Sequence, residues 1–290
     1  MTQSEPASPK KSRAGRDLPV AIAVGLSLFF LVAATLIWWH PGFMIILVVL
    51  TSLCVVELHQ ALTGIGMRSA LTPVVIGNVL IVGGSYAAAV LEDVTQIPWH
   101  VVLLGTIGGS ILLALVWRMF GGSDGYARDS AASLFILAYI SVLTSFAGPV
   151  LAQENGVAKV VAVFLCIVAS DVGGYAAGAT LGKHPMAPAI SPKKTWEGLV
   201  GSFLLAGVLG VAMATLAMQL PWWFGVLMAV VVVIFGTAGD LIESMIKRDI
   251  GIKDMSSFLP GHGGVMDRLD STLVAVPAAW LLFTMVGLGV

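Results

Sequence analysis

Residues 240–270 read DLIESMIKRDIGIKDMSSFLPGHGGVMDRLD. Ten of these 31 residues are Asp, Glu, Lys or Arg, whereas charged residues make up 11% of the whole chain. Apolar runs flank the stretch, VVVIFGTAG before it and STLVAVPAAWLLFTMVGLGV after it. Charged groups beside hydrocarbon-compatible segments lose solvation, so a cluster of them implies contact with water and a chemical task. The fold follows from the contrast: apolar spans, with a charged island between the last two.

Composition supports that division. The chain has 290 residues, 58% of them hydrophobic, with a mean hydropathy of +0.96. Soluble domains hold about 45–50% apolar and about 25% charged residues. A bilayer is the implied solvent, and helices satisfy their own backbone groups there. Barrel strands would alternate apolar and polar positions over about 10 residues, and these runs do not alternate. The fold class is therefore all-α, a polytopic helical membrane protein.

Runs near the length needed to span fall at 18–39, 42–58, 71–91, 98–118, 130–150, 158–181, 198–218, 222–239 and 271–289, about nine transmembrane helices. Trp38, Trp39, Trp99, Trp222 and Trp223 sit at run ends, as interfacial aromatics do. Residues 1–17 are polar and read as a disordered cytoplasmic tail, with no cleavable signal peptide evident. Residues 18–290 read as a single transmembrane domain. Cys54 and Cys166 lie in separate apolar runs and suggest neither a disulfide nor a zinc site.

Lys and Arg test the count. With the N-terminus in the cytoplasm, Lys159 alone among the 15 basic residues falls on the outer side. One miscounted span would scramble this alternation, so the positive-inside rule supports both count and orientation. The long connections then face the cytoplasm. A net charge of −1 says little about partners, and no nucleic-acid partner is expected.

Three further polar features are out of place in an apolar chain. Asp171 lies inside the sixth run, in CIVASDVGGYAAGATLG, with Tyr175 one turn later on the same face. It reads as functional or as a protonated acid buried against a neighbouring helix. Gly174, Gly178 and Gly182 on that helix form a ridge suited to helix packing. Ser191-Pro192-Lys193-Lys194-Thr195 suits a polyphosphate, or serves as membrane anchoring.

Within 240–270, a helix over 240–250 places Asp240, Ser244 and Lys247 on one face. Glu243 and Lys247 form an i,i+4 pair. Asp267 and Asp270 project together from the start of the last span. Acids from two helices suggest an oxygen site for a hard cation; Mg2+ takes one or two carboxylates plus water and substrate phosphates. His262, followed by Gly263 and Gly264, is suited to contacting phosphate, orienting a carboxylate or capping a turn. Zinc lacks a second ligand nearby. Carboxylates for a metal and basic groups for phosphates, without a nucleophile–base pair, point to phosphoryl or nucleotidyl transfer.

The motif Ser244-x-x-Lys247-Arg248, Lys253-Asp254, then Leu259-Pro260-x-His262-Gly263-Gly264-x-x-Asp267-Arg268-x-Asp270 resembles the signature of phosphatidate cytidylyltransferases, or CDP-diacylglycerol synthases. Ser170-Asp171-x-Gly173-Gly174-Tyr175 and Ser191-Pro192-Lys193-Lys194-Thr195-x-Glu197-Gly198 also resemble elements of that family. The specific resemblance covers about 165–275, within a catalytic half at about 158–275; the earlier part matches as generic spans.

The resemblance implies that CTP and phosphatidic acid give CDP-diacylglycerol and pyrophosphate with Mg2+. It further implies a second cation position holding K+, a homodimer among membrane lipids, and a multi-pass protein of the bacterial inner membrane with its site facing the cytoplasm. Asp240 and Asp267 are expected to hold Mg2+, with Asp270 and Asp171 in or beside that shell. Lys193, Lys194, Lys247 and Arg248 would neutralise phosphates, and Ser191 and Ser244 would donate hydrogen bonds. Lys253, Gly263, Gly264, Arg268 and Tyr175 are further expected substrate contacts, and His262 a positioning group. Two rival readings are a CTP-dependent lipid-alcohol kinase, which would release CDP, and an ion-coupled transporter relaying through Asp171, Asp240 and Asp267.

Overall fold

The computed structural model describes residues 18–256 and 263–287, with side chains described from 25 to 285. The tail at 1–17 and His262 lie outside the described residues. Each of the nine apolar runs falls on a helical rod. We number these rods α1 (Leu18–Trp38), α2 (His40–Gly64), α3 (Leu71–Thr95), α4 (Trp99–Met119), α5 (Tyr126–Ala152), α6 (Gly156–Leu181), α7 (Trp196–Ala217), α8 (Trp222–Ile250) and α9 (Met266–Gly287). Seven of them, α2 to α8, are long and apolar enough to cross a membrane. Wider π turns interrupt α3 at Val79–Gly83, α5 at Leu137–Val142 and α7 at Met213–Ala217. Large apolar side chains such as Leu104, Leu204 and Val208 point outward, as a hydrocarbon solvent allows.

Two features of the connections bear on function. The eighth span does not stop at 239: α8 runs on to Ile250, so Asp240–Lys247 is helical. Gly251, at φ 81°, ends it, and the Ile252 N–H returns to the Lys247 carbonyl at 2.9 Å. A left-handed glycine there closes the helix without a Cβ clash. The connection after α6 is also more ordered than a plain loop. Pro185–Ala187 (β1) pairs antiparallel with Ser191–Thr195 (β2). Thr195 then caps α7, its hydroxyl accepting from Gly198 N at 3.0 Å.

Helix packing brings the polar segments together. Gly173 on α6 faces Gly201 on α7 so closely that a Cβ on Gly173 would stand 2.4 Å from the Gly201 carbonyl oxygen. Gly174, Gly178 and Gly182 continue this contact, meeting Ser202 and Thr195. The expected glycine ridge is thus a packing face, where small residues let backbones approach. Gly239 on α8 does the same against Asp270 on α9. Phe224, Met228 and Val232 of α8 pack with Val163 and Cys166 of α6 in one core. Leu58 of α2, Ile136 and Ile140 of α5 and Leu273 of α9 share a second.

The connections 65–70, 120–125 and 182–195 share one face with the described residues 251–256 and 263–265. Glu57, near the end of α2, accepts the backbone N–H groups of Val265 and Met266 at 2.9 and 2.8 Å. Arg68 N donates to Asp129 at 2.9 Å, and Arg248 Nε to the Ile190 carbonyl at 3.5 Å.

Candidate functional site

The site grows from the ends of α6, β2 and α8. A cavity of about 240 Å3 opens between them, walled by Asp171 and Tyr175 from α6, Lys193 and Lys194 from β2, Asp240 from α8 and Ser271 from α9. Asp171 lines this water-accessible space and is not sealed against a neighbouring helix, because the glycines beside it turn α6's small face toward α7. Tyr175 is 79% exposed and stands at the cavity wall.

One strong pair crosses the cavity: Lys194 Nζ lies 2.6 Å from Asp240 Oδ2. Ser244 Oγ donates to Asp240 Oδ1 at 3.3 Å, as the helical spacing implies. Asp270, at the start of α9, lies close enough to Asp240, Asp171 and Lys247 to feel their charges. Arg268 is near enough to Asp171 for the same. Lys193 and Lys253 are exposed. Ser191 belongs to β2 but lines no part of this cavity, and Arg248 is turned to the Ile190 carbonyl.

Asp267 is placed differently from its expected role beside Asp240. Its Oδ1 accepts from Lys247 Nζ at 2.9 Å, and its Oδ2 from Met255 N at 3.1 Å and Gly264 N at 2.9 Å. Lys247 also binds Glu243 at 2.5 Å, realising the i,i+4 pair. Glu243 is 1% exposed. These groups tie Met255 and Gly264 to the start of α9, and Gly263, at φ 85°, makes the turn that presents Gly264 N. Among the described residues, no three His, Cys, Asp or Glu side chains converge as a ready cation cage. Asp171 and Asp240 share the cavity, while the oxygens of Asp267 accept from a lysine and two amides.

Sequence reading missed Glu57. This acid of α2 is 4% exposed and takes hydrogen bonds from Ser256 Oγ, Val265 N and Met266 N. It pins the N-terminus of α9, where a carboxylate also meets the positive end of the helix dipole. The signal was available: Glu57 is the lone acid in the run 42–58, as Asp171 is in its own. His184, which the sequence reading passed over, pairs with Glu197 at 2.6 Å; the two join the residues before β1 to the first turn of α7.

In chemical terms the cavity offers two carboxylates and two ammonium groups in a space open to water. That donor set suits a phosphate chain with a hard cation. Comparison with known proteins agrees. The cytidylyltransferase family matches residues 6–286. A phosphatidate cytidylyltransferase of Mycobacterium bovis is 36% identical over 299 residues, covering 98% of this chain and 93% of that protein. One of Mycobacterium leprae is 34% identical over 292 residues, covering 94% and 89%. One of Staphylococcus epidermidis is 29% identical over 263 residues, covering 90% and 95%.

Proposed function

The chain belongs to the cytidylyltransferase family, and from that premise we propose that it transfers the cytidylyl group of CTP to phosphatidic acid. The products are CDP-diacylglycerol, for phospholipid synthesis, and pyrophosphate. The observation that carries the reading is the cavity of Asp171, Asp240, Lys193 and Lys194, set at the end of apolar helices. A lipid phosphate and a soluble nucleotide can both reach such a place.

A phosphate oxygen of phosphatidate attacks the α-phosphorus of CTP. The new P–O bond forms as the bond to the β-phosphate oxygen breaks, and pyrophosphate leaves with that electron pair. No general base is needed, because the attacking oxygen is already anionic. Lys193 and Lys194 neutralise phosphate charge, which favours the crowded anions and their transition state. Ser244 holds Asp240 in orientation. Tyr175 flanks the mouth of the cavity. Lys247 and Asp267 hold Met255 and Gly264 against the start of α9.

The residues present suit Mg2+. Asp171 and Asp240 supply the one or two carboxylates that ion takes, leaving its other positions for water and phosphate. The Lys194 ammonium 2.6 Å from Asp240 marks that carboxylate as a place for positive charge. When bound, Mg2+ would offset charge on the triphosphate. Asp270 lies close enough to Asp240 and Asp171 to feel their charges, and a second cation such as K+ is assigned beside it.

We place the protein in the bacterial inner membrane, with this cavity facing the cytoplasm, as a homodimer. The basic residues support the orientation, since Arg68, Arg118, Arg128, Lys193 and Lys247 all belong to the face that carries the cavity.

Purified protein supplied with phosphatidic acid and CTP labelled at the α-phosphorus is expected to yield labelled lipid and free pyrophosphate. CTP labelled at the γ-phosphorus is expected to leave the lipid unlabelled. Lipid labelled from the γ-position, with CDP released, would indicate a kinase and overturn the reading.

A further inference from the structure

We propose that a second cavity, formed by the connections 65–70 and 120–125, binds the headgroup phosphate of an anionic glycerophospholipid. It has a volume of about 950 Å3 and is lined by Arg68, Arg118, Arg128, Asp124, Asp129 and Trp117, among others. It shares no lining residue with the cavity of Asp171 and Asp240. Both open on the same face of the molecule.

Positively charged loops often do no more than anchor topology, so the case rests on how these arginines are held. Asp129 is 2% exposed and organises them. Its Oδ1 accepts from Arg68 N at 2.9 Å and Arg128 Nε at 3.4 Å, and its Oδ2 from Arg118 Nε at 3.0 Å. Arg118 also donates to the carbonyls of Gly122 and Asp124, so it is engaged at all three of its nitrogens. Arg128 is not: its side chain is 55% exposed, and its Nη groups have no partner among the described residues. The Arg68 guanidinium has none either.

Glycines shape the space around these forks. A Cβ on Gly125 would come 2.9 Å from Arg128 Nη2, and one on Gly66 3.7 Å from Nη1. Both glycines have positive φ, at 65° and 85°, so a side chain there would strain the backbone as well as crowd the guanidinium. A Cβ on Gly121 would meet Arg118 Nη1 at 2.4 Å. The result is a pair of arginine forks with open donors, backed by a third that neutralises the buried acid. The three arginines outnumber Asp124 and Asp129. Such forks match phosphate oxygens.

The surroundings favour a lipid phosphate over a soluble one. Trp117 is 51% and Phe120 86% exposed at the end of α4. Exposed aromatics at a helix end sit at headgroup depth. A phosphate drawn into this cavity would therefore keep its acyl chains alongside α4.

The test is native mass spectrometry of the purified full chain, offered phosphatidylglycerol or phosphatidylcholine. The wild type is expected to retain phosphatidylglycerol preferentially. Arg68→Gln/Arg128→Gln is expected to weaken that binding on the order of tenfold, as two basic contacts to an anionic lipid would. Phosphatidylcholine binding should not change. Equal retention of phosphatidylglycerol by variant and wild type would overturn the proposal. So would displacement of the lipid by inorganic phosphate or CTP, which would make the cavity a soluble-phosphate site. Should the double variant fail to assemble, hydrogen exchange on the wild type decides. Phosphatidylglycerol but not phosphatidylcholine should slow exchange in 65–70 and 120–125, and equal rates would refute the assignment. The readout is binding, so the result stands apart from the proposed reaction.

Discussion

Lys194 on β2 and Asp240 on α8 meet at 2.6 Å, joining two segments that the sequence keeps 46 positions apart. Both side chains keep partial contact with solvent, at 25% and 33% exposure. A pair this wet contributes about 0–1 kcal/mol to stability. The proposed function gives it another role, holding charge ready for phosphate and cation. Asp240→Asn should therefore cut CTP-dependent lipid labelling by about a hundredfold or more, the scale of losing a few kcal/mol of charge stabilisation. Its thermal unfolding in detergent should stay near wild type. Near-normal turnover would remove Asp240 from the site.

Lys247 should behave differently. It bridges Glu243, which is buried, and Asp267. Removing it leaves carboxylates without a counter-charge, a change worth about 3–5 kcal/mol. Lys247→Ala is expected to lose activity and thermal stability together. Lys10→Ala, in the polar tail, should lose neither. Equal behaviour of the two variants would show that Lys247 is only a topology anchor.

Glu57 offers a third test. Glu57→Ala leaves the Val265 and Met266 N–H groups without their acceptor. Each orphaned group costs about 1–3 kcal/mol. The expected outcome is faster hydrogen exchange through 255–256 and 263–268 and a lower unfolding midpoint, with lipid labelling reduced as α9 loosens. Unchanged exchange there would mean that Glu57 does not pin the start of α9.

Gly173 of α6 and Gly207 of α7 give an internal contrast. A Cβ at Gly173 would collide with the Gly201 backbone, whereas one at Gly207 meets nothing within 4 Å. Gly173→Ala should destabilise by about 1–3 kcal/mol, as overpacking does. Gly207→Ala should be neutral or stabilising by up to about 1 kcal/mol, since alanine favours helix over glycine. Unfolding midpoints of the two variants, measured side by side, check the α6–α7 contact.

Metal removal tests the assignment of Asp171 and Asp240. Chelation of divalent ions should abolish lipid labelling, and added Mg2+ should restore it in the wild type. Asp171→Asn should need a higher Mg2+ concentration for half-maximal rate, with CTP saturating. An unaltered Mg2+ dependence would take Asp171 out of the cation's reach.

Much of this was legible along the chain. Apolar runs mark the rods because a bilayer demands uninterrupted apolar length, a property local to each segment. Asp171 and the Ser191–Thr195 motif stood out because polar groups in an apolar chain need a reason. Boundaries were less legible. A hydropathy count ends the eighth span at 239, whereas the span and the helix of Asp240, Ser244 and Lys247 are one continuous rod. Glu57 was passed over because its partners are backbone amides some 200 residues further on, and nothing in its neighbourhood names them.

The sequence by itself determined the solvent, the helical class, the family resemblance and the small set of residues able to handle phosphate. Those follow from composition and from motifs whose spacing is short. Only the tertiary structure decided which charges meet. It paired Asp240 with Lys194 and Asp267 with Lys247, brought Asp171 to the same cavity as Asp240, and left the Arg68 and Arg128 forks open in a cavity of their own. The physical reason is distance. A charge interaction acts across a few ångströms, and the glycine contacts between α6 and α7 and between α8 and α9 decide which residues come that close.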